Sequence, residues 1–217
     1  TPGGELAGFD IDIAKALVEA MGAEITLVPQ DWDGIIPALL AKKYDAIIAS
    51  MSITEERKKK VAFSKKYYNT PAKFVSKKGD ISEFSNEAIK GKRIGVQRAT
   101  IHDRYLTDNY GNDVEIKRYG TQDEAYLHLT AGRVDMLLAD SVAIDEGFLK
   151  KHEGQNYEFV GPDLTEKKNF CVGAGIAIRK KDTDLVEMFN KAIKQIRADG
   201  TYKKIQDKYF DFNVYGE

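Results

Sequence analysis

The stretch AKKYDAIIAS (residues 41–50) decides the fold, because AGRVDMLLAD (residues 131–140) repeats its pattern later in the same chain. Each copy has an Asp followed by apolar residues, an Ala and a final polar residue, and each follows a helical pattern that begins after Asp33 or Asp123. The repetition predicts an internal duplication of a helix followed by a buried parallel strand. Chance similarity of two αβ units is the alternative.

A duplicated α/β chain predicts two lobes with ligand-binding groups at the strand ends. Ligands of open α/β sheets bind at the carboxyl ends of the strands, where Ser50 and Asp140 stand. We therefore expect the two lobes to face one cleft and to be joined by two crossing hinge strands. The expected divisions are lobe one at 1–69 plus 173–217, lobe two at 72–165, and hinges near 69–72 and 165–173. A single rigid sheet with an ordinary loop at Pro71 is the alternative.

Hydrophobic periodicity and turn residues predict an alternating order of helices and strands. Helices are expected at 9–21, 35–43, 54–61, 100–109, 123–131, 141–151, 183–198 and 202–209. Strands are expected at 24–29, 44–49, 92–96, 114–119, 134–139 and 170–179. Asp33 and Thr54 are candidate helix caps. By the logic of the duplication, only residues 1–8 stand where lobe one needs its first strand, so we expect that strand to be missing from this chain.

Composition excludes several classes of protein. The net charge is −1, from 33 basic and 34 acidic residues, which argues against a general binder of nucleic acid or anionic membranes. No apolar run is long enough to span a membrane, and the chain starts at Thr1 without a signal peptide, so we expect a processed or trimmed product.

The single Cys171 is interpreted as a small buried residue of a strand. The histidines lack metal-ligand spacing, and we expect no cofactor.

The segment after the first strand end carries groups that suit an anion. Residues 49–59, ASMSITEERKK, offer backbone amides, the hydroxyls of Ser50 and Ser52, and Arg57 on a short helix. The planar guanidinium of Arg matches a carboxylate with two parallel hydrogen bonds. Arg57 also lies in a charged run, so a solvated surface position is the alternative.

The second lobe offers a hydroxyl and a carboxylate at its own strand ends. Thr100 begins a helix, a position that favours anions, and Asp140 suits an ammonium group. Groups that bind a carboxylate, together with a group that binds an ammonium, match the two charged ends of an α-amino acid. Both residues have a second interpretation as ordinary helix caps.

Trp32 is the only tryptophan of the chain and follows the second expected strand of lobe one. Its indole can form a flat wall for a ligand side chain, including a cation–π contact with a basic one. The alternative is a partly buried tryptophan of a loop.

Taken together, these motifs resemble the extracytoplasmic solute-binding proteins of family 3, which serve ABC transporters for polar amino acids. The resemblance covers nearly the whole chain and is closest to the binding proteins for lysine, arginine, ornithine and histidine. It is carried by GFDIDIAKAL (8–17), QDWDGIIPALLAKKYDAIIASMSIT (30–54), ERKKKVAFSKKYY (56–68), AGRVDMLLAD (131–140), EGFLKK (146–151) and DGTYKKIQDKYFDFNVYGE (199–217). It implies a two-lobe α/β fold of the type II periplasmic-binding class, with mostly parallel sheets flanked by helices.

The resemblance also implies a role for each candidate residue. Arg57 corresponds to the residue that clamps the α-carboxylate, and Asp140 to the one that holds the α-ammonium. Ser50 contributes beside Asp140, Ser52 and Thr100 assist the carboxylate, and Trp32 packs on the side chain. Ala49 takes a position that is often Ser, and Gln97 replaces an apolar residue of close relatives. The family's first strand, with an acid and an aromatic residue that touch the ligand, has no counterpart in this chain.

The implied function is capture of a free basic L-amino acid by lobe closure and its delivery to the permease of an ABC transporter. The implied location is the periplasm or the extracellular face, and the implied state is a monomer. A protein that binds glutamine or another polar amino acid is the alternative, since Gln97 can hydrogen-bond an amide. Two rivals from other classes are an enzyme similar to cyclohexadienyl dehydratase, which needs a general acid, and a sensory domain of a receptor.

Overall fold

The computed structural model describes residues 5–170 and 173–216, apart from the side chains at 167 and 168. Of these residues, 5–30, 34–69 and 173–216 form one compact unit, and 31–33 and 70–170 form a second. The chain passes from the first unit to the second after Asn69. Cys171, for which we expected a buried position in a strand, lies outside the described residues.

Helices and strands alternate over most of the chain, as expected for an α/β protein. The strands are β1 (Ala46–Ile47), β2 (Ala62–Tyr68), β3 (Ala72–Lys77), β4 (Arg93–Gln97), β5 (Glu115–Tyr119), β6 (Met136–Asp140), β7 (Tyr157–Leu164) and β8 (Ala174–Ile178). The α-helices are α1 (Phe9–Ala20), α2 (Ile35–Leu40), α3 (Glu55–Lys58), α4 (Asn86–Ile89), α5 (Ile101–Tyr110), α6 (Gln122–Thr130), α7 (Ser141–Ile144), α8 (Lys167–Phe170), α9 (Thr183–Ala198) and α10 (Thr201–Tyr209). No helix within residues 5–170 and 173–216 combines the length and the apolar character that a membrane crossing needs.

The first unit has a sheet in the order β1-β8-β2, and both recorded pairings are antiparallel. Helix α9 covers this sheet with a regular apolar stripe, since Phe189, Ala192, Ile193 and Ile196 are buried at helical spacing. Helices α1 and α10 pack beside α9. The stripe explains why this long helix starts and ends where its periodicity predicts.

The second unit has a sheet in the order β5-β4-β6-β3-β7. Strands β5 and β6 run parallel to β4, whereas β3 is antiparallel to both β6 and β7. Neighbouring residues of β6 enter different cores, because Leu138 packs in one apolar cluster and Leu137 in another. A strand buried on both faces matches the continuous apolar run of MLLA.

The duplicated segments share their order of elements but not their strand pairing. Helix α2 precedes β1 in the first unit, and α6 precedes β6 in the second. Strand β1 has only two residues and pairs antiparallel with β8, while β6 has five and is parallel to β4. The expectation of mostly parallel sheets therefore holds for β4, β5 and β6, and the sheets as a whole are mixed.

Several expected elements differ from the structure. The strand expected at 24–29 is absent, and those residues are largely exposed because no described strand pairs with them. Within the described residues, the strand expected at 170–179 covers only β8, and Phe170 belongs to helix α8. The helix expected at 141–151 widens to a π-helical turn at Asp145–Leu149. Asp33 does not cap α2, whose N-cap is Gly34 without a side-chain hydrogen bond.

Candidate ligand-binding site

The candidate residues of the first unit lie on a segment that is fixed along β8. The backbone N–H of Ile53 donates to Gly173 O at 3.0 Å, and the N–H of Gly175 donates to Met51 O at 3.0 Å. Ser52 forms a bridge with Ala174 between these two bonds. The segment therefore takes its shape from the sheet, although it lies beyond the last paired residue of β1.

Ser50 has a backbone conformation that is uncommon for a residue with a side chain. Its φ angle is +52°, in the left-handed region, where a non-glycine residue is strained. The Ser50 N–H donates to Tyr67 Oη at 3.1 Å, and its hydroxyl donates to Asp10 Oδ2 at 3.1 Å. Tyr67 Oη donates in turn to Asp10 Oδ1 at 2.8 Å. These three bonds form a closed ring that holds Ser50 in place.

The surroundings of this ring raise the pKa of both Asp10 and Tyr67. Burial raises the pKa of the Asp10 carboxyl, and the hydrogen bonds from Tyr67 and Ser50 oppose that rise. Burial, together with the nearby charge of Asp10, raises the pKa of the Tyr67 hydroxyl well above its usual value. Tyr67 therefore stays neutral and keeps a proton to donate.

Arg57 contacts the same segment through Thr54 and Ser52. Its backbone N–H donates at 3.0 Å to Oγ1 of Thr54, which caps α3 as predicted. Its Nη1 donates at 2.9 Å to Ser52 O, and the side chain is half-buried. Arg57 is therefore only partly exposed, and its proposed contact with a carboxylate stays a prediction.

In the second unit, the carboxyl ends of neighbouring parallel strands bring three candidate residues to one edge of the sheet. Strand β4 ends at Gln97 and β6 ends at Asp140. The Gln97 amide donates from Nε2 to Gly120 O at 3.1 Å, just after the end of β5. Thr100 caps α5, where its Oγ1 accepts from the Asp103 N–H at 3.2 Å and donates to Gln97 O at 2.8 Å.

The carboxylate of Asp140 is fixed by hydrogen bonds to both of its oxygens. Oδ1 accepts from the backbone N–H groups of Val142 and Ala143 at 2.9 and 3.2 Å, so Asp140 is the N-cap of α7. Oδ2 accepts from the hydroxyl of Thr70. The interpretation of Asp140 as a helix cap is confirmed. A cap and an ammonium receiver are compatible, because each carboxylate oxygen has more than one acceptor direction.

Trp32 contacts the loop that precedes α5. The indole Nε1–H donates to Ala99 O at 3.2 Å, and Ala99 has a left-handed φ of +59°. Asp33, beside Trp32, pairs with Arg98 on the same loop. Trp32 is half-buried, as its alternative interpretation expected, and its role as a wall for a ligand side chain stays a prediction. Ala49 is also half-buried, and its place beside the ligand stays a prediction.

The structure thus groups the candidates by unit. Ser50, Ser52 and Arg57 lie on the first unit, and Gln97, Thr100 and Asp140 lie on the second with Trp32.

Sequence reasoning missed Asp10, Tyr67 and Thr70, whose hydrogen bonds fix Ser50 and Asp140. A carboxylate in the first turn of a helix and a hydroxyl before a proline have many ordinary explanations. A local sequence pattern could not identify their partners, which lie between 17 and 70 residues away along the chain.

Comparison with known proteins supplies the context for this arrangement. The L-arginine-binding protein of Pseudomonas aeruginosa is 52% identical over all of this chain, which spans 84% of that protein. The histidine-binding periplasmic protein of Escherichia coli K12 is 45% identical over 98% of this chain and 82% of that protein. A solved structure described as an ancestral arginine-binding protein bound to glutamine has a TM-score of 0.88 and 38% identity, with 98% of this chain and 91% of that chain covered.

These likenesses confirm the fold class and the resemblance that the motifs indicated. The match to the bacterial extracellular solute-binding proteins of family 3 extends over residues 1–212. The chain belongs to that family.

Proposed function

We propose that this protein binds a free L-amino acid with a basic side chain and delivers it to the permease of an ABC transporter. Arg57 takes the α-carboxylate, with Ser52 and Thr100 assisting, and Asp140 takes the α-ammonium, with Ser50 beside it. Trp32 packs on the side chain, and Ala49 and Gln97 adjoin it. The similarity to arginine- and histidine-binding proteins supports the basic class.

The observation that carries this proposal is the fixed orientation of the two charged groups. Arg57 is held by Ser52 and Thr54, and Asp140 is held by Thr70 and the first turn of α7. A receiver that is oriented before the ligand arrives loses less conformational entropy on binding. Opposite charges on fixed supports match the two ends of a zwitterion, whereas many other small solutes carry only one of these charges.

Glutamine is the second candidate ligand. Gln97 stands at the end of β4 where close relatives are expected to carry an apolar residue, and a similar solved structure holds glutamine. The amide nitrogen of Gln97 donates to Gly120 O, which orients its carbonyl oxygen. The amide of a glutamine ligand can donate a hydrogen bond to the carbonyl oxygen of Gln97. The guanidinium of arginine can donate to the same oxygen, so Gln97 is compatible with both ligands.

We further propose that the protein works outside the cytoplasm, as a monomeric binding protein and not as an enzyme. The similar proteins are named as binding proteins, and the family is described as extracellular. A dehydratase on this fold needs a general acid beside the bound substrate. In this proposal the carboxylate of Asp140 is already engaged by the ligand ammonium.

Isothermal titration against L-arginine, L-lysine, L-histidine and L-glutamine tests the proposal. We expect the tightest binding for a basic member, with no product formed on prolonged incubation. Tightest binding of glutamine would support the second candidate. Turnover of any ligand, or the absence of heat with all four, would overturn the proposed function.

A further inference from the structure

We propose that Asp10 is a positioning residue that sets the direction of the Ser50 hydroxyl, so that Ser50 accepts a hydrogen bond from the α-ammonium of the ligand. This inference rests on the proposed function, and it adds a residue that itself touches no ligand. Asp10, Ser50 and Tyr67 all belong to the first unit.

The contact with Asp10 limits the hydrogen bonds that the Ser50 hydroxyl can make to a ligand. A carboxylate can only accept hydrogen bonds, and a serine hydroxyl has one proton and two acceptor directions. The contact between Ser50 Oγ and Asp10 Oδ2 at 3.1 Å therefore uses the proton of Ser50. What Ser50 can then offer a ligand is acceptor capacity, which suits an ammonium and not a carboxylate.

The backbone of Ser50 is held by the same group of residues. Ser50 holds a left-handed φ of +52°, a conformation that persists only where neighbouring contacts impose it. Its N–H is bound by Tyr67 Oη, and Tyr67 is itself bound by Asp10 Oδ1. Asp10 therefore fixes both the hydroxyl and the backbone of Ser50, the first directly and the second through Tyr67.

Tyr67 and Asp10 are themselves fixed in the fold. Tyr67 is fully buried in β2, and its backbone carbonyl accepts a hydrogen bond from Tyr202 Oη at 2.6 Å. Asp10 lies in the first turn of α1, where a carboxylate is favoured by the helix dipole. Both supports of Ser50 thus stand on packed elements of secondary structure, which is what a precise binding group requires.

The test compares Asp10→Asn with Asp12→Asn. The Asp10→Asn side chain keeps its shape but presents an NH₂ group toward one of the two hydroxyls, which disturbs the ring. Asp12 lies on the same helix, and its carboxylate instead contacts Tyr209 and Lys208. We expect Asp10→Asn to weaken L-arginine binding by about tenfold, and Asp12→Asn to leave it unchanged.

Two further measurements separate positioning from a general loss of structure. δ-Guanidinovaleric acid is arginine without its α-amino group, and its affinity should not respond to Asp10→Asn, since Ser50 acts on the missing group. In a Ser50→Ala background, Asp10→Asn should cause little additional loss for L-arginine, because the group that it positions is gone.

Tyr67→Phe provides a milder variant, because it removes the hydroxyl from the hydrogen-bonded group but keeps the aromatic side chain in place. We expect a loss of L-arginine affinity of the same kind, with the affinity for δ-guanidinovaleric acid again unaffected. Equal losses for both ligands, or full additivity with Ser50→Ala, would overturn the positioning role. Absence of L-arginine binding in the unmodified protein would instead overturn the proposed function, so the two failures are distinguishable.

Discussion

The guanidinium of Arg57 donates to the carbonyl oxygen of Ser52 at 2.9 Å, so one candidate binding residue orients another. The contact ties the side chain of α3 to the segment that runs along β8. Arg57 is therefore a directed group on a rigid support, although its sequence context is the charged run EERKKK.

Arg57→Lys should weaken L-arginine binding by more than about tenfold, although the positive charge is kept, because an ammonium cannot bond Ser52 O and a carboxylate in the same planar geometry. Titration calorimetry measures the change. Lys60→Ala is the matched control, since Lys60 is an exposed cation of the same run and should have no effect. Agmatine, which lacks the α-carboxylate, should bind the wild type and Arg57→Lys with the same affinity. An unchanged affinity of Arg57→Lys for L-arginine would refute the assignment of Arg57 to the α-carboxylate.

Asp140→Asn should weaken L-arginine binding by more than about tenfold, since a fixed charge partner of the ammonium is lost. Thr70→Val should cause a smaller loss, because it removes the hydrogen bond that orients the carboxylate but leaves its charge. Asp108→Asn, an exposed position on α5, is the control. If Thr70→Val reduced affinity as much as Asp140→Asn, or if neither changed it, the proposed role of Asp140 would be wrong.

Gln97→Leu should separate the two candidate ligands. It removes the amide at the end of β4, so we expect glutamine affinity to fall by about fivefold to tenfold while arginine affinity changes less. Competition titration of both ligands on one sample gives the ratio. Thr100 remains the helix cap in this variant, and the helical signal in circular dichroism should be unchanged. A larger loss for arginine than for glutamine would contradict this prediction.

Asp135→Asn should lower the melting temperature by about 2–4 °C at neutral pH. The hydrogen bond from Arg93, whose Nη2 lies 2.5 Å from Asp135 Oδ1, lowers the pKa of the Asp135 carboxyl. A carboxyl with a lowered pKa stabilises the folded state above its unfolded pKa of about 4 and loses that contribution as the pH falls through its folded pKa.

The difference in melting temperature between wild type and Asp135→Asn should therefore shrink as the pH is lowered below about 4. Asp163→Asn serves for comparison, because the Asp163 carboxylate that pairs with Lys73 is more exposed than that of Asp135 and should contribute less. A difference that grew on acidification would contradict a lowered pKa of the Asp135 carboxyl in the folded protein.

The sequence predicted the parts of the fold that depend on local periodicity. Helix α9 was predicted at its observed limits, because one apolar stripe and the glycine that follows define it. The caps Thr54 and Thr100 were also predicted, since capping depends on a side chain and the turn that follows it.

Strand pairing could not be predicted in the same way. The residues of 24–29 alternate like a strand, yet a strand forms only where a neighbour supplies hydrogen bonds. The duplicated Asp45 and Asp135 each pair with an arginine. The partner of Asp45 is Arg179, which follows β8, and β8 is antiparallel to β1. The partner of Asp135 is Arg93, which begins β4, and β4 is parallel to β6. Similar local sequences thus lie in different sheets because distant strands decide the pairing.

The sequence identifies the charged candidates for the site but not the residues that hold the candidates in place. Arg57 and Asp140 stand out because their charges follow strand ends, whereas Tyr67 reads as an ordinary residue of a buried strand. Its hydroxyl becomes significant only when Asp10 and Ser50 are found around it.

Titration of the protein with L-arginine, agmatine and δ-guanidinovaleric acid tests recognition of both ends of the amino acid most directly. We predict tight binding of L-arginine and at least about tenfold weaker binding of each analogue, because each lacks one of the two charges. Equal affinity for all three ligands, or no binding of L-arginine beside tight binding of either analogue, would contradict the account.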